Sequence, residues 1–228
     1  MISRQGITFW MKLVEIFKSR QGEGPHAGKE AIFLRLALCN LHCVWCDTKY
    51  SWYGGNEVGV LEVFRRIVEM SNNEVKHLVV TGGEPLLWRR ELSRLLSMVR
   101  DLGYFIEVET NGTISPGELV YLVDEFNVSP KLSNSGLPIR VRFNEKALMD
   151  FVRSSKAVFK FVVDKPTDLE EVLWFINRFR IPKDRVYLMS QCITTEECLR
   201  KDEEVTRPMA IKLGVNYTPR LHILYGFR

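Results

Sequence analysis

The sequence predicts an α/β protein built on a mainly parallel sheet, and three observations support this fold class. Short apolar runs that fit strands alternate with segments that fit helices along most of the 228 residues. This alternation is typical of right-handed βαβ units, which produce parallel sheets. No repeat, low-complexity tract or linker interrupts the pattern, so we expect one domain over residues 1–228.

The strands are predicted from short apolar or alternating runs that end at polar or glycine-containing motifs. The run AIFLRLAL at residues 31–38 fits a buried strand, and KHLVVT at 76–81 stops at a pair of glycines. The run YFIEVET at 104–110 alternates as a half-buried strand does. Further strands are expected at residues 126–129, 157–163, 185–189 and 217–224.

The helices are predicted from apolar residues at helical spacing, as in residues 57–71. Gly103 stands where a C-terminal cap would end a helix at 91–102. Thr167 is expected to cap the N-terminus of a helix at 167–179. The other helices are expected at residues 117–125, 145–153 and 195–213.

Composition excludes several classes of protein. A hydrophobic fraction of 46% excludes intrinsic disorder, because the chain can bury enough apolar surface to fold. No run of about 18 apolar residues occurs and the first residues lack a secretion signal, so we expect a cytoplasmic protein without membrane contact. The net charge of +4 comes from scattered basic residues, so we expect no direct contact with nucleic acid.

Three of the five cysteines, Cys39, Cys43 and Cys46, lie within eight residues after the first predicted strand. A disulfide is disfavoured in a reducing compartment. Zinc usually takes four ligands in paired spacing, and His42 is awkwardly placed beside Cys43 to be the fourth. Three thiolates in one loop favour an iron–sulfur cluster with one iron left for another ligand, with zinc and coincidence as the alternatives. Cys192 and Cys198 are expected to be free thiols.

Polar motifs follow the other predicted strands at their C-terminal ends: TGGEP, ETNG, SPK, DKP and SQ. In parallel α/β folds ligands bind at this edge, so we expect the site to extend along the whole rim. The cysteine spacing, Trp45 and the TGGEP motif together resemble the radical S-adenosylmethionine superfamily. The resemblance implies a [4Fe-4S] cluster and S-adenosylmethionine. It assigns these residues to S-adenosylmethionine: Gly82, Gly83, Glu84, Glu109, Thr110, Asn111, Ser129, Lys131 and Gln191.

Four further segments closely resemble the 7-carboxy-7-deazaguanine synthase family of this superfamily: EIFKSRQGEG, FLRL, CDTKYSW and PRLHILYG. The resemblance runs from residue 12 onward and leaves residues 1–11 as an N-terminal extension. It implies conversion of 6-carboxy-5,6,7,8-tetrahydropterin to 7-carboxy-7-deazaguanine, with ring contraction and loss of ammonia, for queuosine or archaeosine. Only one helix fits between Cys46 and Lys76, so we expect an abridged, partly open (β/α) barrel.

The family resemblance also implies a Mg²⁺ site and a substrate site. Thr48 would supply its hydroxyl to Mg²⁺, a cation that prefers oxygen ligands. Gln21, Glu23 and Arg35 would hold the substrate, with Arg35 suited to its carboxylate, and His222 is a weaker candidate. The partners implied are the small pterin substrate, a second copy of the chain in a homodimer, and an acidic electron carrier such as flavodoxin or ferredoxin.

Two other functions share part of this pattern. A glycyl-radical-enzyme activase has the cysteine spacing and a GGEP element, but it would not explain QGEG at residues 21–24 or the context of Thr48. A non-catalytic iron–sulfur or zinc binding module would not need polar motifs after each later strand.

Overall fold

The computed structural model describes residues 9–227 and contains one nine-stranded sheet in the order β3-β1-β2-β4-β5-β6-β7-β8-β9. The strands are β1 (Trp10–Arg20), β2 (Glu30–Leu36), β3 (Asn56–Gly59), β4 (His77–Gly82), β5 (Phe105–Thr110), β6 (Glu125–Val128), β7 (Ala157–Val163), β8 (Val186–Ser190) and β9 (Asn216–Tyr217). Neighbouring pairs from β2 across to β9 are parallel, whereas β1 is antiparallel to β2 and β3. The predicted mainly parallel, partly open barrel is confirmed.

Helices bury one apolar face each against this sheet. They are α1 (Val60–Ser71), α2 (Arg89–Asp101), α3 (Ile139–Arg142), α4 (Glu145–Ser154), α5 (Asp168–Phe179), α6 (Thr195–Lys201), α7 (Arg207–Leu213) and α8 (Leu221–Tyr225). Val63 and Ile67 of α1 are fully buried, as the helical spacing of its apolar residues requires. Among the described helices, none is long and apolar enough to cross a membrane.

The predicted strands and helices between residues 31 and 189 are found within a few residues of their expected bounds, except that the helix predicted at 117–125 is a short 3-10 helix, Gly117–Tyr121. The long strand β1 was not predicted, although it pairs with both β2 and β3. Residues 1–8 of the predicted N-terminal extension lie outside the described residues, whereas Trp10 and Met11 belong to β1 and Met11 is fully buried.

The helix predicted at 195–213 is found over the same residues, as α6, a π-helical segment (Asp202–Thr206) and α7 in direct succession. Two predictions near helix and strand ends are wrong. The strand predicted at 217–224 stops at Tyr217, since Pro219 cannot donate to a strand ladder, and α8 follows. Thr167 precedes α5 but makes no capping hydrogen bond, and Asp168 accepts from the backbone N–H of Asp164 instead.

The prediction that Cys192 and Cys198 are free thiols is also wrong, because they form a disulfide. Cys192 lies in the loop after β8 and Cys198 in α6, whose N-cap Thr194 accepts from the backbone N–H of Glu197. That turn brings the two Cα atoms to 5.1 Å, within the range a disulfide spans. The expectation rested on the lack of a family role or of enough ligands for a second cluster, and it took no account of this local geometry.

Candidate active site

A cavity of about 780 Å³ opens among the loops that follow the parallel strands. Its wall contains the three clustered cysteines and side chains from the loops after β4, β5 and β6. Fifteen of the seventeen predicted site residues line it: Gln21, Glu23, Arg35, Cys39, Cys43, Cys46, Thr48, Gly82, Gly83, Glu109, Thr110, Asn111, Ser129, Lys131 and His222. The other two, Glu84 and Gln191, do not belong to its lining.

The cysteine loop begins where β2 ends and is held by backbone hydrogen bonds. The N–H of Leu41 donates to Cys39 Sγ at 3.4 Å, and the N–H of Cys46 to the carbonyl of Cys43 at 3.2 Å. Burial raises the pKa of the Cys39 thiol to about 11, and it also raises the pKa of the Cys43 thiol. Binding of iron therefore has to displace protons from these thiols.

The donor set fits a cluster better than a single ion. Within residues 9–227, the sulfur atoms of the three cysteines do not all lie within 4.8 Å of one another. The group that does meet this limit consists of two histidines and a glutamate. One tetrahedral zinc ion would draw its sulfur ligands closer than that. A cubane holds its thiolates on separate iron atoms and so accepts a wider spacing.

The glycines after β4 allow the backbone to touch the cysteine loop. A Cβ atom on Gly83 would lie 2.1 Å from the carbonyl oxygen of Leu38, and one on Gly82 would lie 2.0 Å from that of Leu36. Gly82 also has a φ of +137°, a conformation that other residues rarely adopt. The N–H groups of Gly83 and Glu84 donate to these same two carbonyls.

We therefore expect Gly83→Ala to displace the cysteine loop, lowering the free energy of unfolding by about 2–4 kcal/mol and the retained iron with it. Denaturant unfolding and iron analysis measure both effects. Gly59→Ala is the matched control, because no atom lies within 4 Å of its new Cβ and its φ is −68°. It should cost less than about 1 kcal/mol. Equal unfolding and equal iron in the two variants would contradict the close-approach argument.

Glu84 joins the loops behind the cavity wall. It is fully buried and accepts hydrogen bonds from Leu86 N (3.0 Å), Asn111 N (2.8 Å) and Thr110 Oγ1 (2.8 Å). Burial raises the pKa of its carboxyl, while these bonds act in the opposite direction. Asn111 in turn donates to Asn40 in the cysteine loop at 2.9 Å. Glu84 thus links the loops after β2, β4 and β5.

The QGEG segment after β1 crosses the interior of the barrel. Gln21 Nε2 donates to Glu107 Oε1 at 2.6 Å and to Glu109 Oε1 at 3.2 Å, both on β5. Glu109 also accepts from Thr81 Oγ1 at 2.7 Å. Because β1 is antiparallel to β2, this segment does not start from the rim, as the other motifs do. The cavity thus combines the predicted rim motifs with a segment that enters from the other end of the sheet.

Glu23 is the centre of a buried ionic network. It pairs with Lys160 of β7 and with Arg220 Nε at 3.3 Å, and His222 Nε2 lies 3.7 Å away. Burial alone would raise the pKa of the Glu23 carboxyl, but these cations hold it well below its usual range. Arg220 also pairs with Asp47, directly after the last clustered cysteine.

Sequence reasoning missed Lys160 and Arg220. A lone lysine within the apolar run AVFKFVV of β7 could have indicated Lys160, because a buried cation needs a partner. Arg220 stands in the PRLH stretch that carried the family resemblance, beside His222. A Cβ at Gly22 would lie 2.3 Å from His222 Nδ1, which explains why the segment before Glu23 contains glycine.

The remaining predicted residues have partners of their own. Arg35 Nε donates to Glu15 Oε1 at 2.8 Å, and Lys131 Nζ to Ser129 Oγ at 2.9 Å. Thr48 Oγ1 lies 3.6 Å from Cys46 Sγ at the cavity wall. Gln191 does not line the cavity, and its Oε1 accepts from Lys201 Nζ at 2.9 Å.

Comparison with known proteins agrees with this arrangement. The model of the radical S-adenosylmethionine superfamily matches residues 36–134. The 7-carboxy-7-deazaguanine synthase of Pyrobaculum aerophilum is 44% identical over 94% of each chain, and that of Hyperthermus butylicus 36% identical over 94% of this chain and 92% of its own. The crystal structure of QueE from Escherichia coli shares the fold, with a TM-score of 0.73 at 21% identity over 93% of this chain and 95% of its own.

The open parallel sheet, the three-thiol loop and the superfamily match define a radical S-adenosylmethionine enzyme, which implies a [4Fe-4S] cluster and S-adenosylmethionine. Identity to the two synthases carries the assignment further. The chain belongs to the 7-carboxy-7-deazaguanine synthase family, whose enzymes act in 7-deazapurine biosynthesis. This membership excludes the activase and the non-catalytic module that the cysteine spacing alone left open.

Proposed function

We propose that the chain converts 6-carboxy-5,6,7,8-tetrahydropterin to 7-carboxy-7-deazaguanine. The product differs from this substrate by one ammonia, so the reaction needs a rearrangement and no net oxidant. The observation that carries the proposal is the convergence of the cysteine loop and the Gln21–Glu23 segment on one cavity of about 780 Å³. That volume suits two small ligands held side by side. The names of the relatives support the same reaction.

Cys39, Cys43 and Cys46 would hold the cluster, which together with S-adenosylmethionine supplies the radical chemistry. The backbone of Gly82 and Gly83 would lie against S-adenosylmethionine. Its polar groups would meet these side chains on the same wall: Glu109, Thr110, Asn111, Ser129 and Lys131. Parts for Glu84 and Gln191 in this binding stay predictions, and the contacts of Glu84 favour an indirect one through the loops it joins.

The substrate would lie against the network around Glu23. A pterin presents amino and ring N–H donors, and the carboxylate of Glu23 and the amide oxygen of Gln21 are fitting acceptors. The substrate carboxylate needs a cation, and Arg35 also lines the cavity. His222 Nε2 lies 3.7 Å from Glu23 Oε1 and would help to keep the Glu23 carboxylate in place.

We infer a Mg²⁺ site at Thr48, because its hydroxyl oxygen lies on the cavity wall beside the cysteine loop. Thr48→Val keeps the shape and removes the hydroxyl. We expect it to raise the Mg²⁺ concentration for half-maximal activity by about 10-fold to 100-fold. Thr48→Ser is the control and should keep the wild-type Mg²⁺ response. An unchanged response in Thr48→Val would place the cation elsewhere.

An acidic electron carrier, such as flavodoxin or ferredoxin, would dock on the exposed side of the cysteine loop. Val44 in this loop and Tyr53 after it are exposed, and Lys49 has its Nζ 5.9 Å from the ring centre of Trp52. A cation next to exposed apolar side chains suits an acidic partner. A homodimer and a cytoplasmic location complete the proposal.

The decisive experiment is turnover by the reconstituted enzyme. The cluster is assembled without oxygen, then S-adenosylmethionine, Mg²⁺, reductant and the carboxypterin are added, and products are followed by mass. We expect 7-carboxy-7-deazaguanine and released ammonia without any protein substrate. If neither forms while cluster content and S-adenosylmethionine binding are intact, the proposed reaction is wrong.

A further inference from the structure

A second polar cluster lies at the floor of the barrel, the end at which β4, β5 and β6 begin. In the described part of the chain, His26, His77 and Glu107 bring their ligand atoms within 4.8 Å of one another. Glu107 Oε2 is 2.9 Å from His77 Nε2 and 3.2 Å from His26 Nδ1. Glu125 Oε1, from the first residue of β6, is 3.4 Å from the same His26 nitrogen. We call these four residues the floor cluster. None of them has a part in the proposed reaction.

Hydrogen bonds alone do not satisfy the floor cluster. His26 Nδ1 can carry one proton, yet it faces two carboxylate oxygens, from Glu107 and Glu125. Glu125 Oε1 is buried and accepts no hydrogen bond. Glu107 itself is fully buried. One fully buried carboxylate and a second whose facing oxygen is buried, both around one nitrogen, favour a positive charge between them.

The spacing of the donor atoms is that of a metal site. Four ligands at about 2.0–2.2 Å from a tetrahedral ion stand about 3.3 Å from one another. Three of the separations among these residues run from 2.9 to 3.4 Å. His26, His77 and Glu107 form the mutually close group, and Glu125 reaches it from the His26 side. We propose that His26, His77, Glu107 and Glu125 bind a divalent transition-metal ion, and that zinc is the ion their chemistry fits.

The surroundings of the floor cluster suit such an ion. Phe105 packs edge-on against both imidazole rings, with ring centres 4.8 Å from His26 and 5.1 Å from His77. The other oxygen of Glu107 accepts from Gln21 Nε2 at 2.6 Å and from Asn127 Nδ2 at 2.8 Å, so this ligand is oriented from outside. The side chain of Glu125, 18% exposed, leaves a way in from solvent.

The ion would also act on the cavity above. Two neutral imidazoles, two carboxylates and a divalent cation sum to zero charge, so Glu107 stays anionic and keeps its hydrogen bond to Gln21. Gln21 lines the cavity in which we place the substrate. The ion would thus hold one side of the substrate site without touching the reaction.

The test measures zinc binding and needs no turnover. Holoenzyme with its cluster assembled is treated with a mild chelator, titrated with Zn²⁺, freed of excess ion and analysed by mass spectrometry for metals. We expect about one zinc ion per chain and a higher Tm on zinc addition. His77→Gln should lose both effects. Glu125→Gln, at the exposed side of the site, should keep the fold and bind zinc at least about 10-fold more weakly.

The control variant is His42→Gln, which alters an exposed histidine beside the cysteine loop and should keep wild-type zinc binding. Wild-type enzyme that binds no zinc would overturn the proposal, as would equal zinc in wild type and Glu125→Gln. The first result would leave a protonated His26 as the cation of the floor cluster, and the second would place the zinc on other residues. Because no assay of product is involved, failure here leaves the proposed reaction standing.

Discussion

Replacing Cys43 with alanine should remove the iron–sulfur cluster and the catalytic activity together. Cys43 is the buried member of the three-thiol loop, and its backbone carbonyl holds the N–H of Cys46. With two thiolates left, the loop cannot bind the three irons that need protein ligands. We expect iron to fall from about four atoms per chain to near zero, and turnover to fall to the uncatalysed background. Iron analysis, the visible spectrum and the mass assay measure these losses.

The matched control uses the other two cysteines of the same chain. The double variant Cys192→Ser, Cys198→Ser removes two sulfur atoms, one more than Cys43→Ala, but leaves the three-thiol loop unchanged. It should retain the iron content and the visible spectrum of the wild type. Activity in Cys43→Ala, or loss of iron in the double variant only, would show that the cluster has been placed on the wrong cysteines.

Glu23→Gln should destabilise the fold and impair the substrate site at once. The side chains of Lys160 and Arg220 are only 5% and 8% exposed, so loss of the Glu23 charge leaves buried cations without their shared partner. We expect the free energy of unfolding to fall by about 3–5 kcal/mol. At a temperature where the variant is folded, KM for the carboxypterin should rise while iron content stays normal. Denaturant unfolding and steady-state kinetics provide the two measurements.

A double-mutant cycle separates the ionic network from a general loss of packing. Lys160→Met removes the buried cation. In that background Glu23→Gln should lower the free energy of unfolding by about 1–3 kcal/mol less than it does in the wild type. Glu145→Gln breaks the exposed pair with Arg178 and should change stability by less than about 1 kcal/mol. Additive effects of Glu23 and Lys160 would rule out a direct coupling between them.

The parallel part of the sheet was predictable because its strands are buried on both faces and therefore consist of consecutive apolar residues. β7 is an example, with six of its seven residues buried, and Lys160 among them. β1 was missed because partly buried residues interrupt its apolar face. The QGEG motif that follows it is typical of a ligand-binding loop and gives no sign of the strand before it. β9 was placed wrongly because two residues carry no periodicity of their own.

The cavity lining was predictable where local sequence determines local backbone. Gly82 and Gly83 follow a strand and must approach the cysteine loop, and both requirements are visible in the chain itself. The pairing of Glu23 with Lys160 joins residues 137 positions apart, and that of Arg220 with Asp47 joins residues 173 apart. No spacing rule reaches across such distances, since the partners meet only after the sheet has curved.

The disulfide has a consequence for how this chain manages its sulfur chemistry. Cys192 and Cys198 are fully inaccessible, whereas Cys39 and Cys46 are partly open to the cavity. Thiol–disulfide exchange requires a thiolate to reach the sulfur it attacks, so a reductant that serves the open loop does not reach the sealed pair while the protein stays folded. The carbonyl of Cys192 accepts from Arg220 at 2.5 Å, which ties the oxidised pair to the substrate side of the cavity. One polypeptide thus keeps two oxidation states of cysteine apart by solvent access alone.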